Sequence, residues 1–294
     1  MASLKEVKTR IASVNSTRKI TSAMKMVASS KLHRAQQAIE NMRPYERQLT
    51  RIMSTFVASM EGDEVETPYA VQREVKRVAI VLYTSNTSLC GGFNANAIKA
   101  FHHKVKGYRE KGVEIVKVYA LGKKAADAVR KAGFDVNADY SMLLDHPAFK
   151  PAADIASEIM HLYESKQIDR ADLIYHHFKS AGSQILTDEM FLPVEFVGSS
   201  AAADDGAKAT NLDFIVEPSK VEVLEKLVPK SLHLKLFTAL LDNLASEHAA
   251  RVIAMQVATD NADDLLRELK LTYNKTRQQA ITAELLDIVG GSMQ

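Results

Sequence analysis

Thr84-Ser-Asn-Thr-Ser-Leu-Cys-Gly-Gly-Phe-Asn94 gathers hydroxyls, amides, a thiol and a glycine pair where a β-branched run gives way to a helical pattern. Open α/β sheets place their ligands at such a junction. Two chemistries are open to it: a phosphate cradle of backbone N–H groups, or a nucleophilic Cys90. The cradle lacks its pattern. Gly91-Gly92 is neither Gly-x-Gly-x-x-Gly nor a Walker sequence, no acidic residue stands at the ribose-binding distance, and the next such turn holds only Gly122. A reactive thiolate needs a base and an electropositive pocket, and the sequence points to neither. A tight strand-to-helix turn with a buried, inert thiol is expected. His102-His103 and His176-His177 are adjacent pairs. Neighbours splay on a helix and face opposite ways on a strand, so neither pair makes a chelate. No paired-carboxylate, Ser/His/Asp or Cys/His arrangement stands out, so no catalytic, cofactor-binding or metal site is expected.

The elements around these residues fall into three stretches. Between about residues 70 and 215, β-branched or aromatic runs at 75–83, 113–120 and 172–178 alternate with helical patterns at about 95–111, 123–132 and 151–166. That alternation implies a Rossmann-like α/β domain with a mainly parallel sheet. Residues 198–209 are small and polar and read as a loop. On the N-terminal side, Leu4, Val7, Ile11 and Val14 repeat at the 3-4-3 spacing of a coiled-coil seam. The seam is expected to shift at Asn15–Arg18 and to continue through Ile20, Met24 and Val27, then Leu32, Ala35 and Ile39. Pro44 should bend this helix, which fills most of residues 1–60 and is roughly 80 Å long at 1.5 Å per residue. On the C-terminal side (219–290), a capping-box start at Glu217–Ser219 precedes a short helix broken or kinked at Pro229, and a second long helix runs from Ser231 to about Gly291. Ala250, Ala254, Ala258 and Ala262 form a ridge of methyl groups that allows close approach. Neither helix can bury its stripe alone. The fold class expected is therefore α/β: a long antiparallel coiled coil of N- and C-terminal helices plus a central Rossmann-like domain.

Charge is unevenly placed. The chain holds 38 Lys/Arg against 36 Asp/Glu, and its first 60 residues hold 11 against 3, with no carboxylate between Val7 and Ile39. Nucleic-acid binding by this arm lacks an aromatic before Tyr45. A membrane-surface helix calls for a wider, bulkier apolar face. A partner protein with an acidic lining suits both the charge and the adaptable Met side chains, while a solvated face on a coil remains the plain alternative. The acid-poor N-terminus also resembles a mitochondrial transit peptide, but the helical pattern runs unbroken past residue 50, and it is read as mature protein. One cysteine rules out an internal disulfide and fits a reducing compartment. No apolar run reaches 18 residues, so any membrane association is expected to be peripheral.

Five motifs, in order along the whole chain, carry a resemblance. They are Ile11–Lys31, Leu89-Cys-Gly-Gly-Phe-Asn94, Asn243–Met255, Ala258-Thr-Asp-Asn-Ala262 and Tyr273–Leu285. Together they resemble the gamma subunit of the rotary (F-type) ATP synthase, bacterial type. The resemblance implies a non-catalytic rotor shaft, without cofactor or metal, turning inside a ring of alpha and beta subunits. The epsilon subunit and the membrane ring of c subunits would be its other partners, at the cytoplasmic face of the inner membrane. It also implies site residues: Lys19, Met24 and Lys25 against an acidic turn of the beta subunits; Arg277, Gln278 and Thr282 against a catch loop; Phe214 and Glu217 at the foot near the c ring. Asn86-Thr87-Ser88 stands where the family usually has Asp-Arg-Gly, and no paired-cysteine insertion is present, so no thiol switch is expected. The competing reading is an α/β ligand-binding enzyme whose helical hairpin is an oligomerisation arm.

Overall fold

The structure, a computed structural model, describes residues 3–58, 67–136, 138–194 and 220–292. Among these the chain runs through α1 (Leu4–Ala58), β1 (Arg77–Tyr83), α2 (Phe93–Glu110), β2 (Glu114–Leu121) and α3 (Lys123–Lys131). It continues through α4 (Ser141–Asp145), α5 (Phe149–Glu164), β3 (Arg170–Ser180), β4 (Ser183–Leu192) and α6 (Lys220–Ser292). Two compact units share the long helices: one gathers residues up to Ser30, Leu89–Gly91 and those from Arg251, the other the remainder. The expected loop at 198–209, the capping-box start and the foot residues Phe214 and Glu217 lie outside the described residues.

The larger unit is a three-layer sandwich. Its sheet has the order β2-β1-β3-β4, with β1 parallel to both β2 and β3 and β4 antiparallel to β3. The parallel part matches the pattern read from sequence; β4 does not appear in that reading. Its Thr187-Asp188-Glu189 centre is too polar for a buried strand, because β4 is an edge with one face in water. Val78 to Tyr83 of β1 are all buried, as a strand covered on both faces must be. Ile80, Leu82 and Ile174 pack on Phe101 of α2 and Val129 of α3. On the opposite face, Val81, Tyr83 and Leu173 join Ile155 and Ile159 of α5, Leu240 of α6 and Ile39 of α1 in one core. Asp172 is wholly buried in β3 because Arg170 (2.9 Å), Lys104 of α2 (3.2 Å) and the Tyr108 hydroxyl surround it.

Of the break or kink expected at Pro229, the break is absent, since α6 runs through that residue as one helix. Proline removes one backbone donor and crowds the previous turn, at a cost of about 3 kcal/mol. Leu224, Val228 and Leu232, four residues apart on one face, are all buried. Burial stabilises by about 1.5–3 kcal/mol for each such side chain, which outweighs the proline penalty.

In the smaller unit α1 and α6 pair antiparallel: Arg18 meets Asp263, Thr21 meets Thr259 and Lys25 meets Gln256. The expected phase shift at Asn15–Arg18 is absent. Val7, Val14, Thr21 and Ala28 keep one strict seven-residue row, alternating with Leu4, Ile11, Arg18, Lys25 and Leu32, and every one of these is buried or half-buried. Ile20 and Val27, expected in the seam, are 60% and 59% exposed. The reason is polar pairing. Residues that break the apolar pattern in one chain stretch are matched across the interface, so the row holds its phase with Arg, Thr and Lys in it.

His176 carries the pH response of the sandwich. It is buried and stacked on Phe93 at 4.3 Å, its Nδ1 has no hydrogen-bond partner among the described residues, and burial pushes its pKa down to about 4. The unfolded chain takes up this proton near the ordinary value of about 6.5, so folding stability is unaffected above that and falls as pH drops from 6.5 towards 4. Urea titrations of wild type and His176→Phe across that window should show the wild type losing up to about 3 kcal/mol relative to the variant. Parallel curves would contradict the assignment.

Candidate functional site

The turn after β1 closes on its own chain. β1 and β3 pair as far as Leu82 and Ile174, and beyond that the strands part at the point where strand order reverses. A ligand crevice opens there in sheets of this type. Here α6 fills it. The Asn243 side chain, with no exposed surface, donates from Nδ2 to the Thr84 carbonyl (3.1 Å) and accepts at Oδ1 from the His176 N–H (3.4 Å). The Ser246 hydroxyl donates to the His176 carbonyl (3.0 Å). One amide thereby substitutes for the backbone pairing the strands have lost.

The start of α3 is taken up in the same way. Thr84 Oγ1 accepts from the Ala125 N–H (2.7 Å), the Ser85 carbonyl from Lys124 (3.2 Å), and Asn86 Oδ1 from Lys123 (3.2 Å). These are the N–H groups a phosphate would use. Gly122 sits at φ +106°, and a Cβ there would stand 2.8 Å from Leu144 Cδ1, so α4 packs directly onto the turn. Asn86 also donates from Nδ2 to the Ser141 carbonyl (2.9 Å), tying the turn to α4. A carboxylate at this position could not make that second bond. Cys90 is buried and unbridged, and Gly91 approaches Ala254, so the alanine ridge of α6 receives this turn. Among the described residues, no cluster of His, Cys, Asp or Glu could hold a metal. His176 points inward and His177 to the other face, where its Nδ1 lies 2.5 Å from Asp242 Oδ2.

The residues singled out from sequence lie on the paired helices and do not form one patch. Lys19 is exposed, whereas Met24 and Lys25 are half-buried, and the Lys25 ammonium donates to Gln256 Oε1. Helical spacing puts Lys19, Ala23 and Met26 on one outward row, with Ile20 and Val27 beside it. The apolar pattern alone places Ile20 and Val27 in the seam and so hides this row; the seven-residue row beginning at Val7 is the signal that separates them. Arg277, Gln278 and Thr282 are all exposed. Gln278 and Thr282 share a face, the Thr282 hydroxyl donating to the Gln278 carbonyl (2.9 Å). Arg277 heads the row Ile281, Leu285 and Ile288, all exposed and apolar beyond it. On the register of the three polar pairs, Leu4 lies opposite Arg277. From there α6 continues to Ser292 with no partner helix among the described residues, about 22 Å at 1.5 Å per residue.

The long helices thus pair through a polar-keyed seam, and the crevice of the α/β sheet is occupied by the chain's own side chains. Similarity gives this architecture its family. A family profile described as ATP synthase matches residues 3–293. The ATP synthase gamma chain of Phocaeicola vulgatus is 55% identical over 293 residues, covering both chains completely, and that of Parabacteroides distasonis is 45% identical over 99% of each. In fold, the chain resembles the rotor of Euglena gracilis mitochondrial ATP synthase, with TM-score 0.56 and 20% identity over 95% of this chain and 98% of that one. It also resembles a chain of the Tetrahymena thermophila central stalk and c-ring structure, with TM-score 0.54 and 22% identity over 81% and 99%. The chain belongs to the ATP synthase gamma-chain family. No helix among the described residues is long and apolar enough to cross a membrane.

Replacing Asn243 by Ala leaves the Thr84 carbonyl and the His176 N–H buried and unpaired. Each such group costs about 1–3 kcal/mol. Chemical denaturation should show a loss of about 2 kcal/mol or more, and a change within a few tenths would refute the bridging role.

Proposed function

We propose that this chain is the rotor shaft that couples rotation of a membrane ring to the conformational cycle of catalytic beta subunits during proton-driven ATP synthesis. It works as three stretches: a helix in 1–60, an α/β body in 70–215 and a helix in 219–290. Its partners are the alpha and beta subunits around the coil, the epsilon subunit and the ring of c subunits, the last touched through Phe214 and Glu217. The complex holds it peripherally at the cytoplasmic face of the inner membrane. The observation that carries this reading is the run of α6 beyond Arg277, where Ile281, Leu285, Leu286 and Ile288 are exposed on a helix without a partner among the described residues. Apolar surface of that extent on one helix end calls for a surrounding sleeve.

A shaft changes the affinity of a site only by contacting that site's conformations unequally. Driving a two-state equilibrium from one side to the other takes about 5.5 kcal/mol of differential interaction. Lys19 gives this outward row a charge beside the adaptable Met26, while Met24 flanks it and Lys25 acts from the seam. Against an acidic turn of a beta subunit such a row makes contacts that depend on rotational angle. Arg277, Gln278 and Thr282 make the corresponding contacts to a catch loop higher in the ring.

Two measurements test the reading. In reconstituted complex, Lys19→Glu with Lys25→Glu should lower ATP synthesis relative to ATP hydrolysis by about fivefold, the equivalent of one lost surface ion pair of about 1 kcal/mol. The isolated chain should keep its helical circular dichroism, and full coupling in the double variant would overturn the contact. Leu285→Asp should leave the purified chain as stable as wild type, since the side chain is already exposed, yet weaken its capture by alpha and beta subunits; undiminished assembly would remove the sleeve.

A further inference from the structure

The seven-residue rows of α1 carry four polar side chains at seam positions: Arg18, Thr21, Lys25 and Glu46. The first three each have a partner on α6. Glu46, half-buried, has no hydrogen bond or ion pair among the described residues. It stands on the wall of a cavity of about 660 Å³ in the larger unit, between α1, the β3–β4 hairpin and α6. Small-molecule sites fall between about 300 and 1,000 Å³ and combine apolar walls with a few convergent polar groups.

The walls divide by chemistry. Ile39, Leu49 and Met53, on the same rows of α1 as Glu46, form one apolar side and Leu232 and Ala239 of α6 the other. The charges are acidic in balance. Lys235 is held by the Met190 carbonyl (3.0 Å) and lies 3.8 Å from Glu189, which also accepts from the Tyr175 hydroxyl (3.2 Å). His177 is held by Asp242. Arg43, one turn from Glu46, is exposed and offers a weak counter-charge, since burial and Asp242 together push the Glu46 pKa up despite Arg43 and His177. Thr238 adds a buried hydroxyl without a hydrogen-bond partner among the described residues to the same wall. An anion would face three carboxylates here. A neutral apolar ligand would leave Glu46 desolvated and unmatched.

We propose that this cavity binds a small amphipathic cation, its ammonium group against Glu46 and its apolar body between Ile39, Leu49, Met53 and Leu232. Recognition combines a charge-assisted hydrogen bond with burial of the ligand's hydrocarbon. None of the described residues assigned to rotation lines this cavity, so separate variants test the two readings.

Titration calorimetry of the full-length chain with phenylbutylamine, and with phenylbutanol as the uncharged isostere, tests the site. The amine should bind one-to-one and about tenfold more tightly than the alcohol. Glu46→Gln should remove the tenfold preference while leaving alcohol binding intact, which also reports that the variant is folded. Met53→Trp, filling the cavity, should weaken both ligands about tenfold. Equal affinity for amine and alcohol, an amine affinity untouched by Glu46→Gln, or no saturable binding to wild type would each overturn the proposal.

Discussion

Everything in this chain depends on two long helices that cannot bury their apolar rows alone. α1 and α6 each contribute to both compact units, one part to the two-helix coil and the other to the face of a β-sheet. A helix can serve both settings only if its buried row keeps one phase. α1 does so from Leu4 to Met53, with every seam position at least half-buried. The constraint is sharp because a coil and a sheet ask for different residues. The sheet face takes Leu32, Ile39 and Leu49, whereas the coil accepts Arg18, Thr21 and Lys25 so long as α6 answers each of them.

The α/β body follows the same logic at its most chemically suggestive point. Hydroxyls, amides and a glycine turn cluster at the switch point of a parallel sheet, where other folds bind nucleotides. In this chain these polar groups have intramolecular uses, with Thr84, Ser85 and Asn86 capping α3 and Asn243 bridging the parted strands. Residue types that look catalytic in a list act as mortar between layers. The fold thus hosts a mechanical role with the same parts that elsewhere host chemistry.

Much of this was legible in the sequence, and the failures have identifiable causes. The three parallel strands, their helices and both long helices follow from period-2 and period-3.6 patterns that local physics enforces. β4 was hidden because an edge strand needs only one apolar face, although Ala181-Gly182 between two β runs marks the hairpin. The break expected at Pro229 failed because local propensity lost to the burial of Leu224, Val228 and Leu232. In the seam, polar residues mimic a change of phase because their partners lie more than 230 positions away in the chain. The outward row at Lys19 and Met26 becomes readable only after that seam is fixed, and the role of Asn243 requires knowing where two strands separate.

The polar pairs across the coil have a mechanical consequence. Two rows of methyl and methylene groups can slide past each other along the helix axis by one repeat and still interlock, because dispersion contacts are not selective for their partner. A hydroxyl facing a hydroxyl and an ammonium facing an amide cannot: a displaced register would leave Thr21, Lys25 and Arg18 against apolar neighbours. The coil is keyed like a splined joint. Load along or around its axis is resisted by directional bonds at three levels of the interface, and the two helices move as one body under shear.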